Sequence, residues 1–186
     1  FDFGFARGVM PRACCALGIA EGQVREIAVL SRVGKPTCFV VTDIDEESEP
    51  PTVWLSRTAV QLRAQEALLS SLSPGDIIPA AVTHLEPFGA FVDIGCGLPS
   101  LIGIENLSVS RIYHPSDRLT VGQGIRAAVR SVDVENRRIT LTHRELLGTW
   151  DENAALFAAG ETVRGIVRSV EPYGVFIELA PNLSGL

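Results

Sequence analysis

A twenty-residue segment occurs twice in this chain, and that recurrence limits the possible folds more than any other feature. GDIIPAAVTHLEPFGAFVDI at 75–94 returns as GETVRGIVRSVEPYGVFIEL at 160–179, a displacement of 85 residues. Both copies carry Glu-Pro-aromatic-Gly, with phenylalanine two positions later (Phe91 and Phe176). The flanks repeat as well: TVWLSR at 52–57 stands before the first copy as RITLTHR at 138–144 stands before the second. Self-similarity at a fixed interval means that one supersecondary unit is built more than once. The chain therefore divides into the back part of a first unit (1–57), a helical linker (58–73), a complete unit (74–143), a second linker (144–159) and the front part of a third unit (160–186). With only the middle unit whole, and Phe1 rather than methionine at its start, the sequence is expected to be a piece of a longer protein.

The complete unit reads as five strands. Residues 77–85 and 88–94 are rich in β-branched and aromatic residues and meet at the Glu86-Pro87 corner, a hairpin signal. A third strand is expected over 98–104, with one helical turn at 105–107, then a polar surface loop over 108–122. Residues 125–132 and 137–142 form a closing hairpin around DVEN at 133–136, a composition suited to a turn. Five short strands with one long connection between the third and fourth suit an OB barrel, and closure removes the edges that so apolar a sheet would expose. The fold class is all-β: tandem OB-fold five-stranded β-barrels joined by short helices. In the linkers, Ala64, Ala67, Leu68 and Leu72 make an apolar stripe that packs on a neighbour. Thr149 with Glu152 has the spacing of a capping box.

Laid out this way, the middle unit resembles the S1 RNA-binding domain of ribosomal proteins and ribonucleases. The likeness runs through Gly75–Val82, FGAFVDI at 88–94, Gly97–Leu107, SRIYHP at 110–115, GQGIR at 122–126, Val132-Asp133 and RITLT at 138–142, in order. The resemblance implies tandem domains that hold single-stranded mRNA near the small ribosomal subunit, using two aromatics of the second strand. Those positions are Phe88 and Phe91 in the middle unit, and Tyr173 and Phe176 in the third. An exposed ring stacks on any base, so such a face tolerates many sequences. A second reading keeps Phe91 and Phe176 in the core and leaves only Phe88 and Tyr173 outside. Gly89 and Gly174, between the rings, would let a strand approach the backbone. The family's acid and base near the last two strands correspond to Asp133 and Arg138, with Arg137 beside it; Asp133 also reads as a turn former. Many members have histidine where this chain has Gly103, and Arg111 and His114, with Tyr113, are placed to make up the lost contact. His114 before Pro115 equally reads as a loop anchor.

The net charge of −6 excludes a globally basic glove but not a local basic face. Lys35 is the only lysine, so the remaining cations are arginines, which fork onto phosphate and stack on bases. In the first unit, 34–39 is expected to lengthen the closing hairpin, and the acidic run at 43–49 repels phosphate, which points to a structural or protein-contacting role. Cys14, Cys15, Cys38 and Cys96 lack metal-site spacing and read as reduced cytoplasmic thiols, Cys96 in a tight turn. His84, His114 and His143 complete no triad or metal set, although His84 and His143 are candidates to approach each other across the barrel. No apolar run has membrane-spanning length. The expectation is a binding protein and not an enzyme, with no metal, no cofactor, no membrane association and no small-molecule substrate. Its partners are single-stranded RNA and the small ribosomal subunit. An accessory module of a larger ribonuclease and a protein-interaction module without RNA affinity stay open as alternatives.

Overall fold

The computed structural model describes residues 1–22, 24, 26–30 and 32–186. The chain forms two compact units, one of Phe1–Ser71 with Gly95–Leu98, the other of Leu72–Ile94 with Pro99–Leu186.

The first unit contains β1 (Arg7–Val9), α1 (Glu26–Leu30), β2 (Val40–Asp45), β3 (Thr52–Ser56) and α2 (Arg57–Ser71). Its sheet has the order β1-β3-β2, with β1 parallel and β2 antiparallel to β3. Ala6, Val53 and Leu55 form a small core, with Phe3, Met10 and Phe39 packed against it. Residues 34–39 run up to β2 instead of extending its ladder, and the hairpin to β3 is closed by 46–51. The apolar stripe expected on α2 is also only partly realised. Ala67 is exposed, Ala64 and Leu68 are half-buried, and the buried side chains are Arg57 and Gln61. The reason is local: turn backbones packed there need donors. Arg57 donates to the Cys15 carbonyl (3.2 Å), and Gln61 donates to the carbonyls of Cys96 (3.3 Å) and Gly97 (3.1 Å) while accepting from the Leu17 amide (2.9 Å).

In the second unit β4 (Ile77–Glu86), β5 (Gly89–Asp93), β6 (Pro99–Gly103), β7 (Gly124–Asp133) and β8 (Arg138–Thr142) close into a barrel of order β4-β5-β6-β8-β7. All five strands fall where the sequence pattern puts them, and the fold is the expected OB type. Alternation explains the core: Ala80, Val82, Ala90, Val92, Ile102, Ala127, Val129, Ile139 and Leu141 point inward and are buried. Register shifts between Val82 and His84, and between Val129 and Ser131, are bulges of the kind that bend strands into closure. The loop over 108–122 is not a bare surface connection. Ser108, Ser110, Ile112, Pro115 and Leu119 are buried, and a 3-10 turn spans Pro115–Asp117.

The linker after β8 begins with a 3-10 turn, Arg144–Leu147, breaks at Gly148 (φ +82°) and restarts as α3 (Trp150–Ala154). The capping box is formed as the spacing predicts: the Glu152 amide donates to Thr149 Oγ1 (3.2 Å) and the Thr149 amide to Glu152 Oε2 (2.7 Å). β9 (Ile166–Glu171), β10 (Gly174–Ala180) and β11 (Leu183–Gly185) then make an antiparallel sheet of order β11-β10-β9. Its turn pairing, Glu171 with Gly174, matches Glu86 with Gly89 in the barrel. Among the described residues, no helix is long and apolar enough to cross a membrane.

Candidate nucleic-acid interface

Because Ala90 and Val92 point into the barrel, their neighbour Phe91 must point out of it. Strand register extends this outer position into a row: His84 on β4 stands opposite Phe91, Phe91 opposite Leu101 on β6, Leu101 beside Thr140 on β8, and Thr140 opposite Ser131 on β7. Phe91 is half-buried within this row and does not belong to the core. Phe88, in the two-residue turn between β4 and β5, is 55% exposed and meets Phe91 edge to face, with ring centroids 6.0 Å apart at 88°. An edge-to-face contact holds two rings in defined orientations while leaving a face of the outer ring open.

The β9–β11 sheet repeats this geometry. Tyr173, 72% exposed, meets Phe176 at 6.3 Å and 88°. Two pairs on two sheets thus share one arrangement, set by the same turn and the same strand alternation.

Sequence reasoning passed over His84 as a member of this face, having weighed it only for catalysis. Its ring lies 6.3 Å from that of Phe91 and bonds Glu86 Oε1 at 2.6 Å. The signal was available, because His84 alternates with the inward Val82 on β4 and a hairpin closed at Glu86 and Gly89 carries it beside Phe91. His143 bonds the Arg126 carbonyl (2.8 Å), so the two histidines hold separate partners.

Asp133 and Arg138 face each other across β7 and β8, two residues along from Ser131 and Thr140 on the same outer face. Asp133 closes its own turn, accepting from the Asn136 amide (2.9 Å) and the Asn136 side chain (2.8 Å). Those bonds, the backbone one first, hold its carboxyl below the usual carboxylate range. Arg137 takes a left-handed conformation (φ +52°) at the end of that turn, and Arg138, on the strand, is exposed. At Gly103, where family members carry histidine, the space a side chain would enter is filled by the Glu105 carboxylate. Glu105 also accepts from Asn106 (2.9 Å) and lies 3.7 Å from Arg130. An acid therefore stands where the resemblance leads one to expect a base.

Gly89 has a different purpose from the one anticipated. It is buried, and a Cβ there would collide with the Ile102 carbonyl oxygen. The missing side chain makes room for β6 within the barrel rather than for an RNA backbone. Gly89→Ala is expected to destabilise the barrel by about 1–3 kcal/mol through overpacking, measured by denaturant unfolding; an unchanged midpoint would remove this account.

His114 and Arg111 belong to the loop before β7. The His114 Nδ1 accepts from the Ser116 amide (3.1 Å) and caps the 3-10 turn beginning at buried Pro115, which is the anchoring arrangement. The Arg111 guanidinium lies 5.7 Å from the centre of the exposed Tyr113 ring. Cys14, Cys15, Cys38 and Cys96 form no disulfide, and burial pushes the Cys15 thiol above its ordinary value. Cys96 sits half-buried at φ +54° in the expected turn.

A five-stranded OB-type barrel with an outward aromatic pair at its first hairpin defines a class, and residues 71–144 match the model of the S1 RNA binding domain family. Those residues are thus an S1-type domain, as the resemblance implies. It is 35% identical over 158 residues to a small ribosomal subunit protein bS1 homolog of Bacillus subtilis, covering 82% of this chain and 41% of that protein. With small ribosomal subunit protein bS1 of Staphylococcus aureus it shares 34% identity over 185 residues, 97% of this chain and 45% of the relative. The chain spans less than half the length of these relatives. Among solved structures, GSP13 from Bacillus subtilis aligns with 22% identity and a TM-score of 0.40, covering 50% of this chain and 78% of GSP13.

Proposed function

We propose that this chain binds single-stranded RNA, mRNA among its targets, through the outer faces of the β4–β8 barrel and the β9–β11 sheet, as part of a translation protein of the small ribosomal subunit. The supporting observation is the duplicated edge-to-face pair, Phe88 with Phe91 and Tyr173 with Phe176. The role is binding and not catalysis: exposed rings stack on unpaired bases, while Arg138, Arg137 and Arg111 supply cations for phosphate. Asp133, kept ionised by its turn, offers an acceptor to a base edge or a ribose hydroxyl. His114 holds the loop that carries Arg111. A cytoplasmic setting suits four cysteines that form no disulfide.

A second reading applies to the first unit. β2 is an edge strand that carries exposed Val41 and Ile44 together with Asp43 and Asp45, a combination better matched to a protein surface than to phosphate.

The test is filter binding of oligo(U) across a salt series. With two to four phosphates contacted per barrel, log K should fall with log salt with a slope of about −1.4 to −2.8, at roughly −0.7 per phosphate. A slope near −6 would reveal a basic surface of another kind. Failure of the chain to bind any of several RNAs would favour protein interaction throughout.

A further inference from the structure

The loop before β7 reaches the β9–β11 sheet. Asp117 and Arg118 of that loop and Arg168 and Glu178 of the sheet form one ion-pair network. Arg118 Nη2 lies 2.5 Å from Glu178 Oε1, Arg168 Nε 2.5 Å from Glu178 Oε2, and Arg168 Nη1 3.5 Å from Asp117 Oδ2. The side chains of Arg118 and Glu178 are 9% and 5% exposed, so this pair is buried, while Asp117 at 31% lies at the open side of the network. Ser110 adds two bonds, its amide donating to the Pro181 carbonyl (3.4 Å) and its hydroxyl accepting from the Ser184 hydroxyl (3.0 Å).

This clamp lies on the face that carries the aromatic pair. In the barrel, Ala90 and Val92 point inward while Phe91 and Asp93 alternate with them. The matching residues on β10 are Val175 and Ile177 against Phe176 and Glu178. Glu178 therefore shares the outer side of β10 with Phe176, two residues or about 7 Å along the strand. Tyr113 begins the clamped stretch. Its amide donates to Asp117 (3.4 Å), and its hydroxyl lies 3.5 Å from the Arg168 carbonyl oxygen. Arg168 precedes Ser169, the residue paired with Phe176. Despite these contacts the Tyr113 ring is 62% exposed, with Arg111 near it.

We infer that Tyr113, backed by Arg111, is a third stacking position on the β9–β11 face, supplied by the loop of the preceding barrel. The inference rests on the RNA-binding reading above and sharpens it. The single-strand site of the second sheet is composite, and the loop read as compensating for Gly103 in the barrel serves the neighbouring sheet. The Tyr113 ring is held at the strand that backs Phe176, its hydroxyl is not needed for stacking, and the exposed guanidinium over the ring puts a cation beside it for a phosphate.

The experiment is fluorescence anisotropy of the full 186-residue chain with a labelled oligo(U), comparing Tyr113→Ala, Tyr113→Phe, Arg111→Ala and Tyr173→Ala, with hydrogen exchange run on each. Tyr113→Ala should weaken binding about five-fold or more, as removal of a stacking ring does. Tyr113→Phe should bind as the parent does, and exchange protection in β9–β11 should not change in either. Loss of binding in Tyr173→Ala with none in Tyr113→Ala overturns the composite site and leaves the aromatic-face reading standing. Weakening in Tyr113→Ala accompanied by lost protection in β9–β11 also overturns it, because the residue would then be structural. Absence of RNA binding by the parent chain removes the functional reading itself, and this inference with it.

Discussion

Truncating both Phe88 and Phe91 to alanine should weaken single-stranded RNA binding more than either change alone, up to but below the roughly 2–6 kcal/mol that two independent stacked bases of about 1–3 kcal/mol each would give. The two rings touch, so their effects share a contact and the double loss should fall short of the summed single losses. Folding sets the control. Phe88 is more than half exposed, and Phe88→Ala alone should leave the thermal midpoint nearly unchanged while removing its share of the binding. Phe91 lies in the row with His84 and Leu101, so its truncation should cost some stability as well. Anisotropy titrations on the two single variants and the double variant separate these terms. If Phe88→Ala unfolds the barrel, or if the double variant binds as tightly as the parent, the barrel's outer aromatic face is not where RNA sits.

Much of the fold was legible because it rests on local signals. Alternation along β4 and β5, the Pro87 turn and the β7–β8 hairpin residues each specify their own geometry, and the internal repeat confirms them from a second copy. The capping box at Thr149 was legible for the same reason, being a bond between residues three apart. What resisted reading depends on distant packing. The buried side of α2 carries Arg57 and Gln61, since their partners, the carbonyls at 15, 96 and 97, lie far away in the sequence. Gly89 looks like an opening for a ligand until the Ile102 carbonyl is placed across from it. The aromatic positions could be read from the hairpin, but not their angle, and nothing local joins Tyr113 to Arg168, 55 residues on. Glu105 beside Gly103 was likewise hidden, because a 3-10 turn brings it back over the strand end.

The remaining expectation concerns the ion-pair junction, where the largest loss of stability should lie. Removing one partner of a buried pair leaves an uncompensated charge and costs about 3–5 kcal/mol. Arg118→Met should fall toward the lower end of that range, because Arg168 still bonds Glu178. Replacing both arginines should reach the upper end. Acid acts on the same group. Burial by itself would raise the Glu178 carboxyl, but the hydrogen bonds from Arg168 and Arg118 and their charges outweigh it and hold the group below its ordinary value. A carboxyl whose folded value is lowered adds stability above the unfolded value of about 4.3, and that contribution disappears as pH falls through the folded value. The parent chain should therefore lose exchange protection in β9–β11 on acidification below about pH 4, ahead of the closed barrel. In Arg118→Met the Glu178 carboxyl has fewer donors, so protection should be weaker at pH 7 and the further loss on acidification should be smaller. Glu178→Gln should remove this group's part of the acid response, and it should lower neutral-pH protection because Arg118 and Arg168 then lack their shared anion. Exchange profiles at neutral and acidic pH on these variants decide the matter. If β9–β11 is equally protected in the parent and in the double arginine variant, the junction carries no load and the sheet is held by its other contacts, among them buried Leu183, the Ser110 bonds and the Asn182 bonds to the Leu147 and Gly148 carbonyls.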